Sequence, residues 1–64
     1  MCQMSVVVDR DGDEELVMED VTSLVMEPEG IRISTLFEGP KLMEHVALRS
    51  IDFMAGKVIL QQTG

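Results

Sequence analysis

The sequence predicts an all-β fold, a small antiparallel barrel or strongly bent sheet of five or six short strands. Three observations carry that expectation. Short runs rich in Val, Ile and Leu alternate with polar residues, and clusters of Gly, Pro, Asp and Glu interrupt them at roughly eight- to twelve-residue intervals. No segment demands a long helix.

Ser5-Val6-Val7-Val8 is the first strand, because three consecutive β-branched valines suit an extended backbone. Asp9-Arg10-Asp11-Gly12-Asp13-Glu14 is dense in charge and turn formers and reads as a loop. Apolar residues resume in Glu15-Leu16-Val17-Met18-Glu19-Asp20 and continue through Val21-Thr22-Ser23-Leu24-Val25-Met26-Glu27. In Glu27-Pro28-Glu29-Gly30, Pro presets φ at the second position and Gly tolerates positive φ near the end, so a hairpin turn is expected. Beyond it, Ile31, Ile33 and Thr35 fall on one face and Arg32, Ser34 and Leu36 on the other, which predicts that the isoleucine face is buried. Glu38-Gly39-Pro40-Lys41 breaks the strand. Leu42–Ala47 reads as a short helical turn or a loop, Leu48–Phe53 as a strand with clear alternation from Ser50, Ala55-Gly56-Lys57 as a compact connection, and Val58–Gln61 as the closing strand.

The 64 residues make a single domain, 1–64, with no internal repeat, linker or low-complexity segment. A chain of this size buries only about 60% of the surface its unfolded form exposes, so a partner chain, a metal or a disulfide is expected to help. The lone Cys2 excludes a disulfide network, a four-cysteine zinc site and a CxxC redox pair, which leaves oligomerisation as the leading expectation. Hydrophobic residues make up 45% of the chain but only Phe37 and Phe53 are aromatic, so the core must be aliphatic. Five basic residues against twelve acidic ones give a net charge of -7, which opposes binding to a phosphate backbone. No apolar stretch of about 20 residues and no signal-peptide pattern is present, so a cytoplasmic protein without a membrane span is expected.

Among candidate sites, Cys2 stands out by position. Removal of the initiator Met would leave cysteine at the mature N-terminus, where its α-amine and thiolate close a five-membered chelate ring on a metal; the deprotonated amide nitrogen of Gln3 adds a third donor. Nitrogen and thiolate donors in a plane suit Ni(II), and thiolates from two chains would also hold Zn(II) or Cu(I). The simpler alternative is a buried, inert cysteine. His45, the only imidazole, lacks a His or Glu at helical ligand spacing and is left outside the site. Asp9-Arg10-Asp11-Gly12-Asp13 resembles the start of a calcium loop, but its glycine stands at the fourth position and no glutamate at the twelfth, so a solvated turn is expected. Met1, Met4, Met18, Met26, Met43 and Met54 read as adaptable core filling rather than a copper box. With one histidine, no tyrosine and no phosphate loop, the chain is not expected to be an enzyme.

The Met-Cys start, the Asp20-Val21 step, Leu36-Phe37-Glu38-Gly39, Ser50-Ile51-Asp52-Phe53 and Lys57-Val58-Ile59-Leu60 together resemble the CooT family, small nickel-binding accessory proteins associated with carbon monoxide dehydrogenase. That resemblance implies a barrel similar to Sm and SH3-like folds, a homodimer, and Ni(II) held through Cys2 with its amine and the Gln3 backbone. It also implies a nickel-enzyme client such as carbon monoxide dehydrogenase. Two other readings compete. One is a structural or interaction module without metal that pairs through strand edges. The other, an Sm-like RNA-binding protein, is opposed by the charge and the lack of Tyr and Trp.

Overall fold

The computed structural model describes residues 4–63. Six strands follow one another: β1 (Met4–Arg10), β2 (Asp13–Glu27), β3 (Gly30–Thr35), β4 (Lys41–Glu44), β5 (Val46–Asp52) and β6 (Lys57–Gln62). They form one curled sheet in the order β4-β3-β2-β1-β6-β5, so β4 and β5, neighbours in sequence, are its two free edges. The expected all-β architecture is therefore present, at the upper end of the anticipated strand number. No helix of the described residues is long and apolar enough to cross a membrane.

The curl originates in β2. Its first part pairs with β1 and its last part with β3, and Val21 is the pivot, opposite Met4 on one side and Thr35 on the other. Just before the pivot Asp20 has φ 57, and register shifts lie between Val21 and Ser23 and on both sides of Val6. Such irregularities bend a strand and tighten its twist, so a single 15-residue strand can serve both arms of the sheet. The fold brings β3 against β5 across the interior. Between the arms lies the core of Val6, Val8, Val21, Ile31, Ile33, Met43, Val58 and Leu60, all aliphatic or thioether, as the scarcity of aromatics requires. Ile31 and Ile33 are buried as their alternation predicts.

Three local expectations are corrected. The barrel is not wholly antiparallel: β1 and β6 run parallel, with Val6 opposite Val58 and Val8 opposite Leu60. This register sends the alternating apolar residues of the first and last strands into the same core, and a pattern that only distinguishes inward from outward does not reveal direction. The charged loop at Asp9–Glu14 shrinks to Asp11-Gly12, with φ 56 and 89, because an Asp-Gly pair satisfies the positive φ of a two-residue hairpin while Arg10, Asp13 and Glu14 remain exposed in paired strands. Leu42–Ala47 is neither helix nor loop. Lys41–Glu44 pairs with β3, placing Met43 beside Ile31, and His45 at φ 59 turns the chain directly into β5. Glycine at position 30 permits that pairing, since a Cβ there would lie 2.2 Å from the Met43 carbonyl oxygen.

Candidate functional site

The two predicted metal-site residues, Cys2 and Gln3, lie outside the described residues, which begin at Met4. Met4 opens β1 opposite Val21, which is itself opposite Thr35. Ser5 pairs with Lys57, which pairs with Asp52, and the Ser5 amide donates to the Gly56 carbonyl at 2.8 Å. Two connections therefore start from the same rows of the sheet as the N-terminal strand: the one after Thr35 and the one after Asp52.

Both connections present apolar side chains to solvent. Leu36 and Phe37 are 80% and 87% exposed after Thr35, and Phe53 and Met54 are 80% and 98% exposed after Asp52. The two aromatics of the chain thus flank its N-terminal end instead of joining the core. Local hydrogen bonds hold each connection. Thr35 Oγ1 accepts from the amides of Phe37 and Glu38 at 3.1 and 2.8 Å, and Asp52 Oδ1 accepts from the Ala55 amide at 3.0 Å. Each is a side chain standing in for a turn's backbone acceptor. A small recess of about 170 Å³ lined by Met4, Val21, Thr22, Ser23, Leu24 and Val58 opens at the same corner.

The other candidates do not join this end. His45 sits between β4 and β5, its carbonyl accepting from the Thr63 amide at 2.8 Å. Its neighbour Val46 pairs with Gln62, whereas Ser5 pairs with Lys57; at 3.3 Å per residue the two levels are roughly 17 Å apart along β6. In the Asp9–Asp13 turn, the Asp9 carboxylate is already occupied: one oxygen accepts from the Gly12 amide at 2.9 Å and the other pairs with Arg49. Among the described residues no three His, Cys, Asp or Glu side chains cluster in a way that could hold a metal ion. Met4, Met18 and Met43 pack in or against the core, in line with their reading as filler, while Met26 and Met54 are exposed.

Ion pairs consume most of the positive charge. Arg10 meets Glu15 at 2.6 Å, Arg32 meets Glu27 at 2.7 Å, Lys57 meets Glu14 at 3.3 Å, and Arg49 meets Asp9. The hydrogen bond to Glu27, with the charges of Glu27 and Glu29, raises the Arg32 pKa above its ordinary value. Sequence reasoning missed the apolar end altogether. Leu36-Phe37 follows Thr35 and Phe53-Met54 follows Asp52, and no local spacing distinguishes these apolar residues from strand residues.

Comparison with known proteins supplies the remaining information. No curated protein matches the chain. The fold resembles a crystal structure of a CooT candidate from Carboxydothermus hydrogenoformans, with a TM-score of 0.86 and 21% identity over 98% of this chain and 100% of that one. At that identity the likeness speaks for the fold. A family model described as CO dehydrogenase accessory protein CooT matches residues 1–61, which include the Met-Cys start and all but the end of β6. Extending over nearly the whole chain, that match establishes that this protein belongs to the CooT family of CO dehydrogenase accessory proteins.

Proposed function

We propose that this accessory protein binds Ni(II) through the α-amine and thiolate of Cys2 and the backbone nitrogen of Gln3, at the interface of a homodimer in the cytoplasm, for delivery to a nickel enzyme such as carbon monoxide dehydrogenase. The observation that carries the reading is the family match over residues 1–61, a span that includes Cys2 and Gln3. Amine, amide and thiolate donors form a soft, planar set suited to Ni(II). Donors that precede β1 in the chain would let the metal bind and depart without unfolding the core.

The apolar residues around that terminus support the dimer. Phe37 and Phe53 offer roughly 150–250 Å² each, and with Leu36 and Met54 they approach the roughly 800 Å² per partner of a standard interface. Two chains joined at this end would place two Cys2 thiolates near one another. The test is a nickel titration by calorimetry of protein shown by mass spectrometry to begin at Cys2, beside Cys2→Ala. Binding at half an equivalent per chain that is lost in Cys2→Ala is the expected result. Equal affinity in both proteins, or retention of Met1 in cells, overturns the reading.

A further inference from the structure

The sheet is open along one seam. β4 and β5 are its two edges and do not pair with each other. At the far end from Met4, where His45 joins β4 to β5, a groove of about 620 Å³ lies between the β2–β3 turn and the start of β5. Met26, Ile31, Val46 and Leu48 give it an apolar lining, and Glu27 and Glu29 stand on its rim. Val46 to Leu48 runs beside it as free edge strand. Natural edges are usually guarded by Lys, Pro, a bulge or shortness. β4 has Lys41 and only four residues, and β5 has its register shift between Leu48 and Ser50. The three residues Val46-Ala47-Leu48 carry none of these guards.

Charge decides what fits there. Four of the five Lys and Arg side chains, all but Lys41, are held in ion pairs that take up four of the twelve carboxylates, leaving eight without a cation partner among the described residues. Around the groove, Glu29 and Glu44 belong to that surplus. A second copy of a chain with net charge -7 would bring like charge to this rim. We infer that the groove between the β2–β3 turn and the start of β5 is a docking site for an extended, basic segment of a partner protein, which adds a strand to the Val46–Leu48 edge, drops alternate apolar side chains into the groove beside Met26 and Leu48, and sets its Lys or Arg residues against Glu29 and Glu44. Strand addition of this kind draws affinity from backbone pairing and selectivity from alternate side chains. The groove lies at the end of the sheet opposite Met4, so a partner held here leaves the start of β1 uncovered.

The test is an amide-resolved NMR titration of the full chain with an acetylated seven-residue peptide of alternating Lys and Val, and with its counterpart in which Glu replaces every Lys. Saturable shifts confined to Met26–Ile31 and Val46–Leu48, at least tenfold weaker with the Glu peptide and weakened severalfold by 0.5 M salt, are the expected outcome. Glu29→Lys, at an exposed turn residue, should reduce binding of the Lys peptide at least threefold, and Leu48→Asp should abolish it. Absence of saturable shifts, shifts spread over the acidic Asp11–Glu15 hairpin, or equal binding of the two peptides overturns the inference. Repeating the titration with metal-free Cys2→Ala separates it from the nickel reading, because that variant should bind the peptide unchanged whether or not the wild type binds nickel.

Discussion

Replacing both exposed aromatics, Phe37→Ser with Phe53→Ser, should separate pairing from folding. In the monomer these rings are 87% and 80% exposed, so their loss removes little packing and the change in folding free energy should stay within about 0.5 kcal/mol, as for most surface substitutions. In a dimer joined at the N-terminal end the same rings would be covered. Burying roughly 150 Å² of apolar ring at about 25 cal/mol per Å² is worth about 4 kcal/mol before ordering and desolvation are subtracted. Truncating a buried interface aromatic usually leaves a loss of about 2–4 kcal/mol. Even the lower figure raises the dimer dissociation constant about 30-fold, and two rings per protomer raise it further. Sedimentation equilibrium across a dilution series measures the constant, and urea unfolding at a concentration where both proteins are monomeric measures the fold. A dissociation constant within threefold of wild type, with the fold intact, would show that the apolar end is not where copies meet.

Other outcomes can be checked alongside. Gly30→Ala places a Cβ 2.2 Å from the Met43 carbonyl oxygen, so β4 must shift away; a loss of about 1–3 kcal/mol and a melting temperature lower by roughly 5–20 °C are expected by circular dichroism. Leu60→Ala empties a fully buried position between the arms and should cost about 2–5 kcal/mol, a large part of what a domain this small possesses, so the variant should be substantially unfolded at 37 °C. Nickel affinity should rise with pH, because binding displaces protons from the thiol and amine of Cys2; calorimetry in buffers of different ionisation enthalpy will count them, and a pH-independent affinity would speak against the chelate. Removing the exposed Arg10–Glu15 pair by Arg10→Ala should alter stability by less than about 1 kcal/mol.

Fold class was legible because alternation and turn chemistry are local. Ile31 and Ile33 could be assigned inward, and Pro28 and Glu29 to a turn, from neighbouring residues alone, whereas Gly30 opens β3 without a positive φ and is required by its close approach to Met43. The parallel match of β1 with β6 depends on residues at opposite ends of the chain and leaves no local trace. Leu42–Ala47 was misread because its only strand signal is its partner: without Ile31 opposite Met43, a segment containing Leu, Met, Glu, His and Ala has no reason to extend. Phe37 and Phe53 illustrate the converse. Hydropathy places aromatics inside, and nothing in their spacing indicates that Thr35 and Asp52 would turn the chain outward just before them. The proposed chelate at Cys2 and Gln3 rests on sequence alone, since both residues lie outside the described ones. The relation of the start of β1 to its surroundings required the rows running from Met4 to Thr35 and from Ser5 to Asp52.

The parallel pairing of β1 with β6 also governs when the protein becomes competent. Ser5 can meet Lys57 only after almost all of the intervening chain has been made, and contacts between such distant positions form slowly because a large loop must close first. During synthesis, β1 emerges early with one of its two neighbours missing and its valines exposed. Only the last strand settles it. A chain cut short before β6 lacks the partner of Ser5–Asp9, so the core between the two arms closes as the final step of folding.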